Sequence, residues 1–265
     1  MSEANGGAAM ARSVRGFEEQ LRGEDPGAAP EARVAVRRLR ARLALSTPRF
    51  DPDWVWLVRR ELRWLEQAVG DVADAHALAC WVDRQPIDDR DRPARGLLVA
   101  ELRRERGRAH RRLVALLDSA RYERMLRDLE RPYLAPEDVA RVARREWRSL
   151  TAALGSMGES RGLQDLHRLA GRVDRVRHAA ELCKAGAKWA VALGEVREAL
   201  DGVSETTLAQ GWLRHAADTP AMHWDLLAGQ LLERARGAEL IWWDEWTSRL
   251  ERARAKDLRS WLKRG

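Results

Sequence analysis

Arg33, Arg37 and Arg40 recur at i, i+4 and i+7, the spacing that lines three side chains along one side of a helix. Guanidiniums suit anion chemistry. They stay charged at physiological pH and present a planar fork of N–H donors that matches phosphate oxygens. The row runs beside an apolar stripe, because Ala32, Val36, Leu39 and Leu43 fall at i, i+4, i+7 and i+11 of the same stretch. Like charges at this spacing repel by about 0.3 kcal/mol per pair, so an isolated helix gains nothing from the row. An anion lying along it reverses the sign. Several phosphate contacts release counterions, so such binding is strong at low salt and falls steeply as salt rises.

The stretch has an echo at an offset of 137 positions (Arg33 to Ala170). There Ala32, Val36, Leu39 and Leu43 become Leu169, Val173, Val176 and Ala180, so the apolar stripe survives. Arg38 and Arg40 become Arg175 and Arg177, whereas Arg33 and Arg37 become Ala170 and Asp174. Downstream, Val69-Gly70-Asp71-Val72-Ala73-Asp74-Ala75 resembles Leu193-Gly194-Glu195-Val196-Arg197-Glu198-Ala199. Two imperfect copies of one helical unit are the simplest account.

In the second copy His167, Asp174, His178 and Glu181 form a rough stripe at i, i+7, i+11 and i+14. A metal site there lacks any His-x-x-x-His or Glu-x-x-His pair, so Asp174 is expected to pair with Arg177 or His178. His167 either donates a hydrogen bond to phosphate, more strongly when protonated, or is a structural histidine at a helix start. Nucleophile elbows, P-loops and glycine-rich fingerprints on a strand are missing, and Asp88, Asp89 and Asp91 read as solvated loop charges. Catalytic residues are therefore assigned to none, and neither metal nor cofactor is expected. Among twelve Trp, the cluster Trp242, Trp243 and Trp246 and the series Trp54, Trp56 and Trp64 are expected to fill core.

These residues need helices to position them. A loose tail is expected over residues 1–9 and a short helix over about 10–22, ended by Gly23-Glu24-Asp25-Pro26-Gly27. The arginine helix spans about 31–45. Asp51 and Pro52 open a third helix, as N-cap and first position, which runs to about 83 past Gly70. A helix from near Ala94 carries Arg103 to Arg112 as an ordinary surface, and a short one covers about 119–130. Arg131-Pro132 to Pro136 divides a first repeat, about 10–131, from a second, about 136–265. Pro136 at the first position opens the helix bearing Arg141, Arg144, Arg145 and Arg148, with a glycine-rich exit at Gly155–Gly162. The His167 helix covers about 163–185, one or two helices cover 187–216, and Thr219-Pro220 caps a last long helix over about 221–254. Nowhere does a clean period of two appear, so the fold is all-α, with eight or so helices.

Composition bounds the partners. With 265 residues the chain can bury a substantial core. The net charge of +7 and the pI near 10.2 favour anionic partners: polyphosphate, nucleic acid or a membrane surface. Yet 41 acidic residues accompany 48 basic ones, so positive charge matters only where it is concentrated. Cys80 and Cys183 lack disulfide or zinc spacing and read as buried thiols of a reducing cytoplasm. No apolar run reaches transmembrane length, and no signal peptide is expected.

The run Arg33-Val34-Ala35-Val36-Arg37-Arg38-Leu39-Arg40, the motifs Val69-Gly70-Asp71-Val72 and Leu193-Gly194-Glu195-Val196, Leu166-His167 with Arg175 and Arg177, and Glu181-Leu182 together resemble the CHAD family, the conserved-histidine α-helical domain. Arg106, Leu117-Asp118-Ser119 with Arg121-Tyr122, and Arg145 with Arg148 fit the same pattern, so the resemblance runs from about Arg33 to the C-terminus. It implies two pseudo-symmetric four-helix halves packed into one domain around a basic central cavity that binds inorganic polyphosphate without chemistry. Carried onto this chain, Arg33, Arg37, Arg38 and Arg40 supply one wall, and Arg145, Arg148, His167, Arg175 and Arg177 the other. Arg106 and Lys184 are added on the margin. The chain departs from the pattern at Pro30, where the first family histidine belongs, and at Ala73, Ala170 and Asp174. The expectation is a non-enzymatic polyphosphate binder in the cytoplasm, associated with polyphosphate granules. The alternatives are a ligand-poor scaffold for a protein partner and, behind it, a nucleic-acid binder.

Overall fold

A computed structural model describes residues 6–23, 25–45, 52–130, 138–156, 163–218 and 224–263. Among these residues nine α-helices occur and no strand: α1 (Gly6–Arg22), α2 (Ala28–Leu45), α3 (Pro52–Arg84), α4 (Arg92–Leu117), α5 (Ala120–Leu129), α6 (Val139–Gly155), α7 (Leu163–Glu181), α8 (Ala187–Ala217) and α9 (Asp225–Ala253). Short 3₁₀ turns at Asp89–Asp91 and Lys184–Gly186 lead into α4 and α8, and a third, Ser260–Lys263, follows α9.

Local chemistry sets most of the boundaries. Ser119 caps α5 by accepting from the Tyr122 amide at 3.2 Å. Asp138 caps α6 by accepting from the Arg141 amide at 2.7 Å, which corrects the start expected at Pro136. α1 begins at Gly6, ahead of the start expected near residue 10. α7 stops at Glu181 rather than 185, because Cys183 takes an extended conformation. A Cβ added at Gly186 would stand 2.4 Å from the Ala180 carbonyl oxygen, so only glycine lets the chain turn this tightly into α8. The stretch 187–216 is one helix, and α9 is capped at Trp224 without a side-chain bond. Asp51, the boundary Arg131–Pro136, Thr219-Pro220 and residues 1–5 and 157–162 lie outside the described residues.

Packing follows the apolar stripes. Ala32, Val36, Leu39 and Leu43 are all buried, as their spacing requires. Each large apolar side chain removed from water contributes about 2 kcal/mol, so the stripe outweighs the repulsion along the arginine row and holds α2 in place. One core joins α1 to α5 with α2, and a second joins α6 to α9, centred on Trp189, Leu193 and Val203. A third joins the far ends of α3 and α4 (Leu78, Trp81, Leu102) to α8 and α9 (Leu213, Leu227, Leu231). α2 also packs directly on α7. The second and third cores thus bring α2, α3, α7 and α8 to one seam.

The tryptophans divide. Trp54, Trp243 and Trp246 are buried, and the Trp242 ring lies over Gly202 so closely that a Cβ there would meet it at 2.2 Å. Trp64 is partly buried beneath the Arg121 guanidinium, 4.0 Å from the ring centroid, whereas Trp56 is 62% exposed. Core filling therefore fails for Trp56. Cys80 and Cys183 are free thiols and half-buried rather than buried. No helix among the described residues is long and apolar enough to cross a membrane.

Candidate functional site

The arginine row of α2 meets an acidic row of α3. Glu66, Gly70 and Asp74 fall at i, i+4 and i+8 on that helix. Arg33 pairs with Asp74, Arg37 donates from Nε to Glu66 at 2.9 Å, and Arg40 donates to the other oxygen of Glu66. Gly70 seats the first of these pairs: a Cβ there would lie 3.4 Å from the Arg33 guanidinium carbon. Burial alone would raise the Glu66 pKa, but Arg40 and Arg37 outweigh it and hold the carboxyl below its ordinary value.

The pairing does not exhaust the positive charge. Arg37 is pushed below the ordinary arginine value by burial first, then by Arg33 and Arg197, against the opposing pull of Glu66. Arg59 of α3 is lowered by burial, then by Arg175 of α7 and Arg40. Most tellingly, the Nε–H groups of Arg33, Arg38 and Arg40 are buried without an acceptor in the protein. Buried guanidinium donors are ordinarily satisfied. Three such donors fall on α2, those of Arg33 and Arg40 on the side that meets α3 and that of Arg38 on the side toward His178 of α7.

The α6–α7–α8 side is closer to neutral. Glu146 of α6 accepts from Arg145 at 3.0 Å and from Arg175 at 2.9 Å. Arg197 of α8, 7% exposed at its side chain, takes Asp174 at 3.3 Å and pairs with Asp201. Burial opposes the charge on Arg197, yet Asp174 and Asp201 raise its pKa. Asp174 thus turns to Arg197 rather than to Arg177 or His178. Those two instead share Glu181, at 3.0 and 2.8 Å. The local pairing expected from helical spacing gives way to a buried cation across the α7–α8 interface, which needs its counterion more. Among the described residues no group of three or more His, Cys, Asp or Glu is placed to hold a metal ion.

The predicted residues do not all converge. Arg33, Arg37, Arg38, Arg40, Arg175 and Arg177 lie along the α2–α7 seam or its flank, with Arg145 beside Glu146. His167 is exposed at its edge. Partial desolvation, then Arg33 and Arg37, lowers its pKa. Arg106 of α4 stands near His76 instead, Lys184 is exposed in its 3₁₀ turn, and Arg148 lines a cavity against the C-terminal segment. Sequence reasoning missed Glu66, Asp74, Glu146, Arg59 and Arg197. The signals available were the spacing of Glu66, Gly70 and Asp74, and the position of Arg197 three residues after Gly194.

The two helix hairpins also differ in register. Arg33 lies over Gly70, but it is Arg177 that lies over Gly194, where a Cβ would meet its guanidinium carbon at 3.7 Å. At the offset that aligns α2 with α7, Arg177 corresponds to Arg40, about two helical turns from Arg33.

No curated protein matches this sequence. Among solved structures, PptA from Streptomyces chartreusis superposes with a TM-score of 0.75 at 20% identity, covering 94% of this chain and 98% of that one. The CHAD domain from the plant Ricinus communis superposes with a TM-score of 0.65 at 19% identity, covering 98% and 90%. At these identities the likeness establishes the fold. The CHAD domain family matches over residues 8–214, a span that holds α2, α3, α7 and the Arg197 pair, and the chain belongs to that family.

Proposed function

We propose that this protein binds inorganic polyphosphate along the α2 side of the seam, without turning it over. The observation that carries the reading is the set of three buried Nε–H donors, on Arg33, Arg38 and Arg40, that lack an acceptor. A phosphate chain would supply the missing acceptors to Arg33 and Arg40 on one side of α2 and to Arg38 on another, and each charge-assisted hydrogen bond contributes about 1.5–3 kcal/mol. Arg37 and Arg59, held among like charges, gain from the same anion. Glu66 and Asp74 act as internal counterions that keep the row soluble until the ligand displaces them. The binder would work in the cytoplasm, at polyphosphate granules.

Long-chain polyphosphate should then bind far more tightly than orthophosphate, because linked phosphates raise one another's effective concentration. Four contacts with a salt slope of about 0.7 each give roughly a 50-fold loss of affinity for a fourfold rise in salt. Titration of the wild type and of Arg37→Ala/Arg40→Ala at two salt concentrations tests this. Tight, salt-sensitive binding that collapses in the variant is the expected result. Equal affinity per phosphate for short and long chains counts against the reading, and metal-dependent release of phosphate ends the non-enzymatic one.

One observation favours a second reading, a scaffold without ligand: Asp174 and Asp201 together neutralise Arg197. Absence of polyphosphate binding at low salt would select it.

A further inference from the structure

A second basic site lies away from the α2 arginines. A cavity of about 600 Å³ opens between α6 and the segment after α9, lined among others by Arg144, Trp147 and Arg148 on one side and Lys256, Arg259 and Leu262 on the other. Four cations thus face one carboxylate, that of Asp257. Its back wall is rigid. Trp147 meets Trp189 edge to face at 5.3 Å, Trp189 meets Trp261 at 6.2 Å, and the Trp189 indole N–H donates to the Ala253 carbonyl at 2.9 Å.

Arg259 is the informative residue. Its guanidinium lies 5.1 Å above the Trp147 ring and donates to the Arg254 carbonyl, while its Nε–H is buried without an acceptor. A guanidinium fixed on an indole is a stacking platform as well as a hydrogen-bond donor to anions. An inorganic phosphate chain has no use for the apolar surface of Trp147 and Leu262. A ligand with both a flat apolar body and a charged tail uses every part of the lining, and the volume falls within the range of small-molecule sites.

We propose that this cavity binds an organic phosphate of the nucleoside-phosphate class, with its phosphates on Arg148, Lys256 and Arg144 and its ring against the Arg259–Trp147 stack. The site is distinct from the polyphosphate row and shares with that row's predicted lining only Arg148, which the structure places here.

The probes are ATP and inorganic tripolyphosphate, titrated without added metal into the wild type and into Arg37→Ala/Arg40→Ala, and the two affinities are compared in the variant, where the α2 row is disabled. The two probes carry equal numbers of phosphates, and only ATP has a ring. ATP is expected to bind at least tenfold more tightly than tripolyphosphate. Lys256→Glu/Arg148→Glu, both exposed positions, should lose at least tenfold in ATP affinity with its helical circular dichroism unchanged, while Arg37→Ala/Arg40→Ala should retain ATP binding. Tripolyphosphate binding as tightly as ATP overturns the organic class. Undiminished ATP binding in Lys256→Glu/Arg148→Glu, or none in the wild type at millimolar ATP, overturns the site.

Discussion

Glu66→Gln separates the two roles assigned to the seam, because it should move stability and affinity in opposite directions. In the free protein the Glu66 carboxylate joins Arg37 and Arg40, and the three side chains are 14%, 19% and 29% exposed. Removing one partner of a fully buried ion pair costs about 3–5 kcal/mol. Water reaches Arg40 here, so a loss of about 2 kcal/mol is the reasoned figure, or a fall in Tm of about 4–8 °C for a chain of this size. With polyphosphate present the same change removes a competitor. Two guanidiniums no longer exchange a carboxylate for a phosphate, and a gain of only about 1.4 kcal/mol is tenfold in affinity. The assay is thermal unfolding with and without long-chain polyphosphate, beside direct titration. A lower Tm without ligand, a larger ligand-induced rise in Tm and tighter binding are expected. Equal or weaker polyphosphate binding by Glu66→Gln would refute the reasoning, since Glu66 would then be holding the arginines in their binding geometry rather than competing for them.

Three further outcomes follow from the same structure. His167, lowered by desolvation, Arg33 and Arg37, is neutral near pH 7 in the free protein, and a bound polyanion favours its protonated form. Polyphosphate affinity should therefore rise as pH falls below the ordinary histidine value, and His167→Ala should flatten that dependence in titrations at pH 6 and pH 8. His178, 5% exposed, is lowered by burial despite its bond to Glu181, so the unfolded chain takes up a proton first as pH falls. Its contribution to stability is present above the unfolded pKa and is lost below it, with a slope of at most about 1.4 kcal/mol per pH unit, which chemical denaturation at pH 7.5 and 5.5 would measure. Gly186→Ala should destabilise by about 2 kcal/mol or more, because its Cβ meets the rigid Ala180 backbone, whereas Gly171→Ala, with open space around it in α7, should stabilise by up to about 1 kcal/mol; paired urea melts decide both.

What was legible in the chain was what depends on neighbours in sequence. The burial of Ala32, Val36, Leu39 and Leu43 follows from a period that any helix imposes, and the short helix expected over about 119–130 is found with Ser119, three residues before Tyr122, as its cap. The ion pairs depend instead on register between helices. Nothing local to Glu66 and Asp74 says that α3 will turn them toward α2. Asp174 has Arg177 and His178 within about one turn of its own helix, yet it serves Arg197, whose burial makes an unpaired state more costly than for the half-buried Arg177. The offset that aligns the apolar stripes of α2 and α7 does not align their seats on glycine, since Arg33 and Arg177 occupy different turns.

That divergence bears on function. Where α2 carries arginine, its partner helix carries the acids, and three Nε–H groups are left over; where α7 carries Asp174, the cation sits on α8 between two carboxylates, with one donor, Arg197 Nη1, left over. The two sides of the seam therefore differ in what an anion would gain. On the α6–α8 side it would have to break ion pairs that already neutralise the cations, although Arg197 also keeps one buried donor, Nη1, without a hydrogen-bond acceptor. On the α2 side it would relieve repulsion among Arg33, Arg37 and Arg197 and fill donors that are already desolvated, so the cost of stripping water from them has been met by the packing of the apolar stripe. A binding face on one wall, supported by a neutral opposite wall, is what these charges favour.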